Sequence, residues 1–255
     1  MDTPAEIASV DGNNLAQRGF FCRKSKTKTE GNRRKIAWAG DGFESGLGIE
    51  ILYEDGRSVG FVEYTPGEHA WRAVHAPGYL VIHCLWVVGR AKGKGYGAAL
   101  LERVESKARD LGSVGVAMVT SSGVWLADNR LLLAHGYDSV DEAPPSFNLM
   151  VKSFNGAPEP SFPTDWVERA AAYGDGLTIV TTDQCPYLED AEQAVLAGAE
   201  KLGLPVAIAK LHTAADVQAR SPSAFGVFGV VLNGELLSYH YLLEKDLVAL
   251  VSSRT

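Results

Sequence analysis

Cysteine is scarce in this sequence, and the few cysteines do not form a motif. The 255 residues include three cysteines, Cys22, Cys84 and Cys185, which lie far apart along the chain. Their odd number and the lack of Cys-x-x-Cys spacing argue against a zinc site and against a disulfide framework. We therefore expect reduced thiols, no metal ion and a cytoplasmic protein.

Long apolar runs and a basic leader are also lacking. Residues 1–10 do not contain a basic segment followed by an apolar stretch, which is the pattern of a signal peptide. No apolar run reaches the length that a bilayer-spanning helix requires. The expectation is a protein without a membrane partner.

Positive charge is limited as well. The chain has 24 lysines and arginines against 31 aspartates and glutamates, and its net charge of −7 argues against a nucleic acid partner. Basic residues nevertheless cluster between Arg23 and Lys35. This stretch is interpreted either as a solvated loop or as a clamp for an anionic substrate or for cofactor phosphates.

The composition that remains is that of an ordinary globular protein. The chain is 46% hydrophobic and 22% charged, and its length allows two domains. Asn155 to Pro163 has the composition of a linker. We predict a first domain in residues 1–154, a linker in residues 155–172 and a second domain in residues 173–255.

Local patterns predict several helices and turns. Helices are predicted in residues 1–19, Ile36–Gly46 and Trp125–His135. Asp55-Gly56 and Asn233-Gly234 each separate two strand patterns and predict tight hairpins. Strands and helices are therefore expected to mix through both domains.

One stretch combines an apolar strand, a glycine-rich turn and a helical pattern. The strand runs from Gly78 to Val88, and apolar residues recur at helical spacing from Leu100 onward. Glycines let the backbone approach an anion, and the N–H groups at a helix N-terminus point at it. Arg90 adds positive charge nearby. The residues predicted to hold the pyrophosphate of a cofactor are Lys92, Gly93, Lys94, Gly95, Tyr96 and Gly97.

This stretch resembles motif A of the GNAT acetyltransferase superfamily, which usually reads Arg/Gln-x-x-Gly-x-Gly/Ala. Two registers fit, Arg90–Gly93–Gly95 and Lys92–Gly95–Gly97. The second is preferred, because the paired apolar residues of the family then fall on Leu100 and Leu101. Asn129, followed by Gly136-Tyr137, resembles the Asn…Gly-Phe ending of the family.

Other segments narrow the resemblance. Glu63–Arg72, Ile82–Gly89 and Pro145–Phe147 are similar to the YoaP-like acetyltransferases, and Thr182–Tyr187 is similar to the second domain of that family. Ser221-Pro222-Ser223 resembles the cis-proline turn of thioredoxin folds. The resemblance therefore implies a second domain that is thioredoxin-like.

The implied fold class is α/β (α+β): a mixed, twisted GNAT sheet flanked by helices, plus a smaller thioredoxin-like α/β domain. The implied co-substrate is acetyl-CoA, bound where strands four and five splay apart. Val87, Val88 and Asn129 would help to hold it. The implied reaction is an N-acetyl transfer in which a small amine, with amino-acid-like compounds among the options, attacks the thioester directly. The oligomeric state is left open, with a homodimer as one option.

Three residues are candidates for the chemistry. Glu63 lies on a strand expected to face the substrate side and is the first choice for the general base. His83 is interpreted as a base acting through water or, preferably, as a hydrogen-bonded core residue. Cys84 is interpreted as a carrier of the acetyl group or, preferably, as a buried apolar residue. The tyrosine acid of many family members is replaced by Leu132. Binding of the acceptor amine is assigned to Glu68, Trp71 and Arg72.

An alternative function rests on Cys185. A helix is predicted to begin at Pro186, and a helix N-terminus lowers the pKa of a nearby thiol. Cys185-Pro186-Tyr187-Leu188 resembles the glutaredoxin sequence Cys-Pro-Tyr-Cys with its second cysteine replaced. The alternative is thus a thiol, redox or sensor module with a CoA-binding fold.

Overall fold

The computed structural model describes residues 5–23, 25–123, 125–154 and 156–253. Contacts divide the chain into two compact units, which we call unit 1 and unit 2. Unit 1 comprises Met1–Lys26, Ile36–Ala70 and Val74–Phe162. Unit 2 comprises Thr27–Lys35, Trp71–Ala73 and Pro163–Thr255. The domain boundaries given above stay a prediction, and Lys24 and Asn155 of the predicted basic stretch and linker lie outside the described residues.

Unit 1 is built on a seven-stranded mixed sheet in the order β1-β2-β3-β4-β5-β7-β6. Only β4 and β5 run parallel among these neighbours, and the other pairs are antiparallel. The strands are β1 (Glu6–Val10), β2 (Gly48–Glu54), β3 (Arg57–Pro66), β4 (Tyr79–Val87), β5 (Gly115–Ser121), β6 (Asp138–Ala143) and β7 (Phe147–Ser153).

In the described part of the chain, the helices of unit 1 are α1 (Leu15–Arg18), α2 (Glu30–Glu44), α3 (Tyr96–Asp110) and α4 (Arg130–Ala134), and α2 up to Lys35 belongs to unit 2. Short 3₁₀ turns occupy Gly67–His69 and Gly89–Ala91. The apolar stripe of α3, made of Leu100, Leu101, Val104 and Ala108, is fully buried in the core that β3, β4 and β5 line. A large mixed sheet flanked by helices confirms the predicted fold class.

Unit 2 contains a smaller four-stranded sheet in the order β11-β10-β8-β9. β8 and β9 are parallel and are connected through α6, and the other pairs are antiparallel. Its elements are α5 (Trp166–Ala171), β8 (Leu177–Thr181), α6 (Leu188–Leu202), β9 (Val206–Lys210), α7 (Ala214–Arg220), β10 (Phe228–Leu232), β11 (Glu235–Ser238) and α8 (Glu244–Ser252). The thioredoxin-like character of this unit stays a prediction.

Both predicted hairpin turns are confirmed. Asp55 and Gly56 have φ values of 50° and 71°, and Asn233 and Gly234 have values of 50° and 76°. Two successive left-handed residues are the geometry of a type I′ turn, whose twist matches that of the flanking strands. Asp55-Gly56 joins β2 to β3, and Asn233-Gly234 joins β10 to β11.

Other local predictions are wrong. The helix predicted in residues 1–19 is mostly replaced by β1, because Glu6–Val10 pairs along its whole length with β2. α2 begins at Glu30 rather than Ile36, since the Thr29 hydroxyl accepts a hydrogen bond from Asn32 N and starts the helix earlier. The helix predicted from Trp125 shrinks to α4. The cis peptide bond found among the described residues precedes Pro145, not Pro222.

Candidate active site

The glycine-rich turn before α3 has a backbone that only glycine adopts easily. Gly93 and Gly95 both have φ of 80°, and Gly95 is the N-cap of α3. Nothing lies within 4 Å of the position of a Cβ at either residue, so conformation rather than space requires glycine there. Gly97 is already helical, and a Cβ there would meet Leu131 at 3.1 Å. The choice between the two motif registers stays a prediction.

A carboxylate organises the charged side chains of this turn. Glu54, at the end of β2, pairs with the Lys94 ammonium at 2.7 Å and accepts a hydrogen bond from the Tyr96 hydroxyl. The hydrogen bond from Lys94 is the main cause that lowers the pKa of Glu54, and the same bond raises the pKa of Lys94. The turn is therefore held in place by an anion of the protein itself.

Beside the turn, β4 and β5 separate. Their parallel pairing ends at Ile82 and Met118, while β4 continues to Val87 along β3 alone. Val88 N donates to Val59 O at 2.9 Å, so it points to β3. Successive N–H groups of a strand point to opposite edges, and those of Leu85 and Val87 therefore face the gap. The N–H group of Val88 therefore does not face the gap, and the cofactor-binding roles of Val87 and Val88 stay predictions. Sequence patterning did not single out Leu85.

Lys92 contacts the last part of β4. Its ammonium stands 5.3 Å from the ring centroid of Trp86, which is 56% exposed. Arg130 chiefly lowers the pKa of Asp128, and Lys92 contributes to this shift. Asn129, the N-cap of α4, follows Asp128 directly. The cofactor-binding role of Asn129 stays a prediction.

Glu63, Thr65 and His83 form a buried polar group on β3 and β4. Glu63 is 2% exposed and His83 is fully buried. Glu63 Oε1 lies 3.6 Å from His83 Nδ1, and Thr65 Oγ1 lies 3.2 Å from His83 Nε2. Cys84 is the cross-strand partner of Glu63 and is half-buried. Two of the three predicted catalytic side chains are thus in direct proximity.

The position of the missing tyrosine acid is apolar in three dimensions as well. Leu132 is 2% exposed and belongs to the core cluster that contains Leu100 and Leu101. It offers no proton to a leaving thiolate. A thiol is only moderately basic, so its departure does not require this acid.

The predicted acceptor residues belong to different units and are described separately. Glu68 accepts a hydrogen bond from Gly78 N at 2.8 Å and closes the loop before β4. Trp71 and Arg72 belong to unit 2, where Arg72 is 1% exposed and donates to Phe225 O at 3.1 Å. This burial makes Arg72 a packing residue, and we do not retain it for the acceptor.

A polar pocket of about 360 Å³ lies at the β6–β7 hairpin. It is lined by Ser122, Glu142, Ala143, Pro144, Pro145, Ser146, Phe147 and Asn148. Ser146 Oγ contacts the Ser121 hydroxyl at 2.8 Å, and Asn148 Nδ2 donates to Glu142 Oε1 at 3.3 Å. The segment Pro145–Phe147 stood out in the sequence only by resemblance, and the other lining residues gave no signal.

The predicted helix start at Pro186 is wrong, and the reactivity of Cys185 stays a prediction. α6 begins at Leu188, so Cys185 precedes the helix by three residues instead of opening it. Asp183, which precedes Cys185 by two residues, forms an ion pair with Lys210 at 2.7 Å. Within the described ranges, no group of three or more histidine, cysteine and acidic residues could hold a metal ion. Among the same residues, no helix has the length and apolar character to cross a membrane.

Comparisons with known proteins show which proteins the chain is similar to. Residues 13–124 match the model of the Acetyltransferase (GNAT) family. The matched residues lie mostly in unit 1, whose large mixed sheet flanked by helices is similar to the fold of that family. The chain is also 28% identical over 237 residues to the uncharacterized N-acetyltransferase YoaP of Bacillus subtilis (strain 168), covering 91% of this chain and 93% of that protein.

Solved structures of acetyltransferases are similar as well. A GNAT family acetyltransferase from Brucella melitensis in complex with acetyl-CoA aligns with a TM-score of 0.41 and 15% identity, over 63% of this chain and 94% of its own. An acetyltransferase from Thermus thermophilus aligns with a TM-score of 0.42 and 17% identity, over 60% of this chain and 98% of its own.

Proposed function

We propose that this protein is an acetyl-CoA-dependent N-acetyltransferase that acts on a small hydrophilic amine. One observation carries the proposal. The glycine turn at the N-terminus of α3 follows β4 and the short 3₁₀ turn Gly89–Ala91, and beyond Ile82 the edge of β4 that faces β5 is open. A phosphate-binding turn beside an open strand edge suits a long cofactor with a pyrophosphate at one end and an acyl group at the other.

Each part of acetyl-CoA has partners in this arrangement. The N–H groups at the start of α3 and the ammonium groups of Lys92 and Lys94 bind the pyrophosphate. The open edge of β4 at Leu85 and Val87 pairs with the amide groups of the pantetheine arm, as another strand would. An N–H group of this edge donates to the thioester oxygen, on which negative charge grows during attack.

Glu63 is the proposed general base. It removes a proton from the acceptor ammonium, so that the neutral amine attacks the thioester carbon directly. A positioned base contributes roughly 10²–10⁴-fold to such a reaction. Cys84 lies beside Glu63 in the sheet, but no step of direct transfer requires it.

The pocket at the β6–β7 hairpin is the proposed acceptor site. The Glu142 carboxylate attracts an ammonium group, while Ser146 and Asn148 provide a hydroxyl and an amide for further polar groups. A lining with one carboxylate and several hydrogen-bonding groups favours a small hydrophilic amine over an aromatic or lipid-like one. Amino-acid-like amines remain within this class.

Calorimetric titration with acetyl-CoA tests the cofactor site. Gly95→Ala places a side chain on a left-handed residue of the turn and should weaken acetyl-CoA binding at least tenfold. Gly112→Ala is a matched control, because Gly112 has φ of 71°, also has open space around it and follows the other end of α3. Equal effects of the two substitutions would argue against the turn as the cofactor site.

A second experiment tests the chemistry: turnover is measured with acetyl-CoA and a panel of amines, and the released CoA is detected as a free thiol. Glu63→Gln should lower kcat by about 10²–10⁴-fold while acetyl-CoA binding is retained. Glu50→Gln is the control, since Glu50 is also a carboxylate with 2% exposure in the same sheet. A Glu63→Gln protein with unchanged kcat would refute the assignment of the base.

A further inference from the structure

The hydroxyl of Thr65 determines which nitrogen of His83 carries a proton. Thr65 Oγ1 lies 3.2 Å from His69 O and 3.2 Å from His83 Nε2. A threonine hydroxyl has one proton to donate, and a carbonyl oxygen can only accept. The Thr65 proton therefore goes to His69 O, and His83 donates from Nε2 to Thr65.

With the proton on Nε2, the nitrogen that faces Glu63, Nδ1, is bare and can accept a proton. Nδ1 lies 3.6 Å from Glu63 Oε1. A bare ring nitrogen and a carboxylate both accept, so a hydrogen bond between them forms only once Glu63 has gained a proton. Catalytic hydrogen bonds are often long before the substrate binds and tighten in the complex. Because both side chains are buried, bulk water does not compete for a proton between them.

A bulge in the sheet brings His83 to this position. Glu63 pairs with Cys84, whereas Tyr64 pairs with Ile82, so His83 is an additional residue on β4. Bulges of this kind redirect a side chain and are common beside active sites. The ring of Trp38 lies 6.5 Å from the His83 ring and covers it from α2.

We propose that Thr65 is a positioning residue that keeps neutral His83 in the Nε2–H form, so that Nδ1 receives the proton that Glu63 removes from the acceptor. Glu63 gains the proton as the N–H bond of the ammonium breaks. The proton then passes to Nδ1, Glu63 returns to a carboxylate, and His83 becomes an imidazolium. The inference rests on the proposed function, because Glu63 is the first proton acceptor.

A first test requires no substrate. In the 255-residue chain with ¹⁵N-labelled histidine, the signals of His83 are identified among the six histidines by their loss in His83→Gln. We expect a protonated Nε2 and a bare Nδ1. In Thr65→Val the acceptor at Nε2 is gone, and the Glu63 carboxylate should draw the proton to Nδ1. A native Nδ1–H form, or an Nε2–H form that persists in Thr65→Val, would overturn the inference.

A second test measures the catalytic consequence. Thr65→Val should lower kcat about ten- to hundredfold without changing the KM for acetyl-CoA, which is less than the full effect of a lost base. Thr65→Ser keeps the hydroxyl and should restore both kcat and the Nε2–H signal. A Thr65→Val protein that changes tautomer but retains its kcat would refute the transfer to Nδ1. Absence of turnover with every amine would count against the proposed function, while the NMR result would still decide the tautomer.

Discussion

At the scale of single residues, the Glu54 carboxylate would compete with a cofactor pyrophosphate for side chains of the glycine-rich turn. Glu54 holds the Lys94 ammonium and the Tyr96 hydroxyl, which are the side chains that a pyrophosphate would otherwise attract. The pair is exposed enough for salt to screen it. Acetyl-CoA binding must therefore either displace Glu54 from Lys94 or proceed in the presence of its negative charge.

We predict that Glu54→Gln strengthens acetyl-CoA binding about two- to fivefold at low salt, because a surface charge pair has an effect of this size. The gain should disappear at high salt, where the competing charge is screened. Calorimetry at two ionic strengths measures both effects. Glu102→Gln removes the same charge from an exposed position on α3 and should change the affinity much less. Weaker binding by Glu54→Gln would mean that Glu54 serves mainly to order the turn.

Residue types on one short stretch were predictable, but their partners were not. The glycines and lysines from Lys92 to Gly97 indicate an anion site by their spacing, and Glu63 stands out on an apolar strand. Leu85, by contrast, has an ordinary side chain, and only the end of the β4–β5 pairing exposes its N–H group. The contact between Thr65 and His83 depends on a bulge that hydrophobic alternation does not reveal.

At the scale of elements, α3 is fixed to the sheet by a charged contact as well as by its apolar stripe. Glu50 on β2 is 2% exposed and accepts hydrogen bonds from Ser9 on β1 at 2.9 Å and from Arg103 on α3 at 3.3 Å. Tyr64 of β3 approaches the same carboxylate at 3.5 Å. Burial is the main cause that raises the pKa of Tyr64, and the charge of Glu50 adds to it.

We predict that Arg103→Met lowers the free energy of unfolding by roughly 1–3 kcal/mol, because Glu50 then remains buried without its cation. Denaturant unfolding measures this loss. The double variant Glu50→Gln/Arg103→Met should recover much of it, since the neutral amide no longer needs the charge. If the double variant is as unstable as Arg103→Met, the effect comes from lost packing of the arginine stem instead.

Elements with strong local signals were predicted best. The hairpins at Asp55-Gly56 and Asn233-Gly234 have the required left-handed residues, and the apolar stripe of α3 has a clear helical period. β1 was missed, because its identity as a strand comes from pairing with β2, about forty residues away in sequence, and not from its own short segment. The early start of α2 depends on Thr29, a cap within a basic stretch that looked like a loop.

At the scale of the whole molecule, unit 2 is not a continuous piece of chain. It includes Thr27–Lys35 and Trp71–Ala73 besides its C-terminal part. Gly31 N donates to Glu189 at 2.8 Å, and Arg34 pairs with Glu192 at 3.4 Å. Both contacts lie within unit 2 and connect segments that are distant in sequence.

Arg72 contributes the most buried of these connections. Its guanidinium donates to Trp71 O and Phe225 O and lies 5.0 Å from the centre of the Phe225 ring. Gly226 packs so closely that a Cβ there would stand 2.8 Å from the Arg72 backbone. The segment around Arg72 is therefore part of the fold of unit 2, although it lies far away in sequence.

We predict that Arg72→Met reduces the protection of β8 and β10 against hydrogen exchange by roughly 1–3 kcal/mol, because the Phe225 carbonyl loses a buried donor. Mass spectrometry of the intact chain resolves these strands from those of unit 1, which should keep their protection. Arg57→Met, at an exposed position of β3, is the control and should leave both sheets unchanged.

The same reasoning predicts that residues 163–255 alone exchange faster at β8 and β10 than the intact chain does, since they lack the segments Thr27–Lys35 and Trp71–Ala73. A fragment as protected as the intact chain would show that these segments are dispensable for the fold of unit 2.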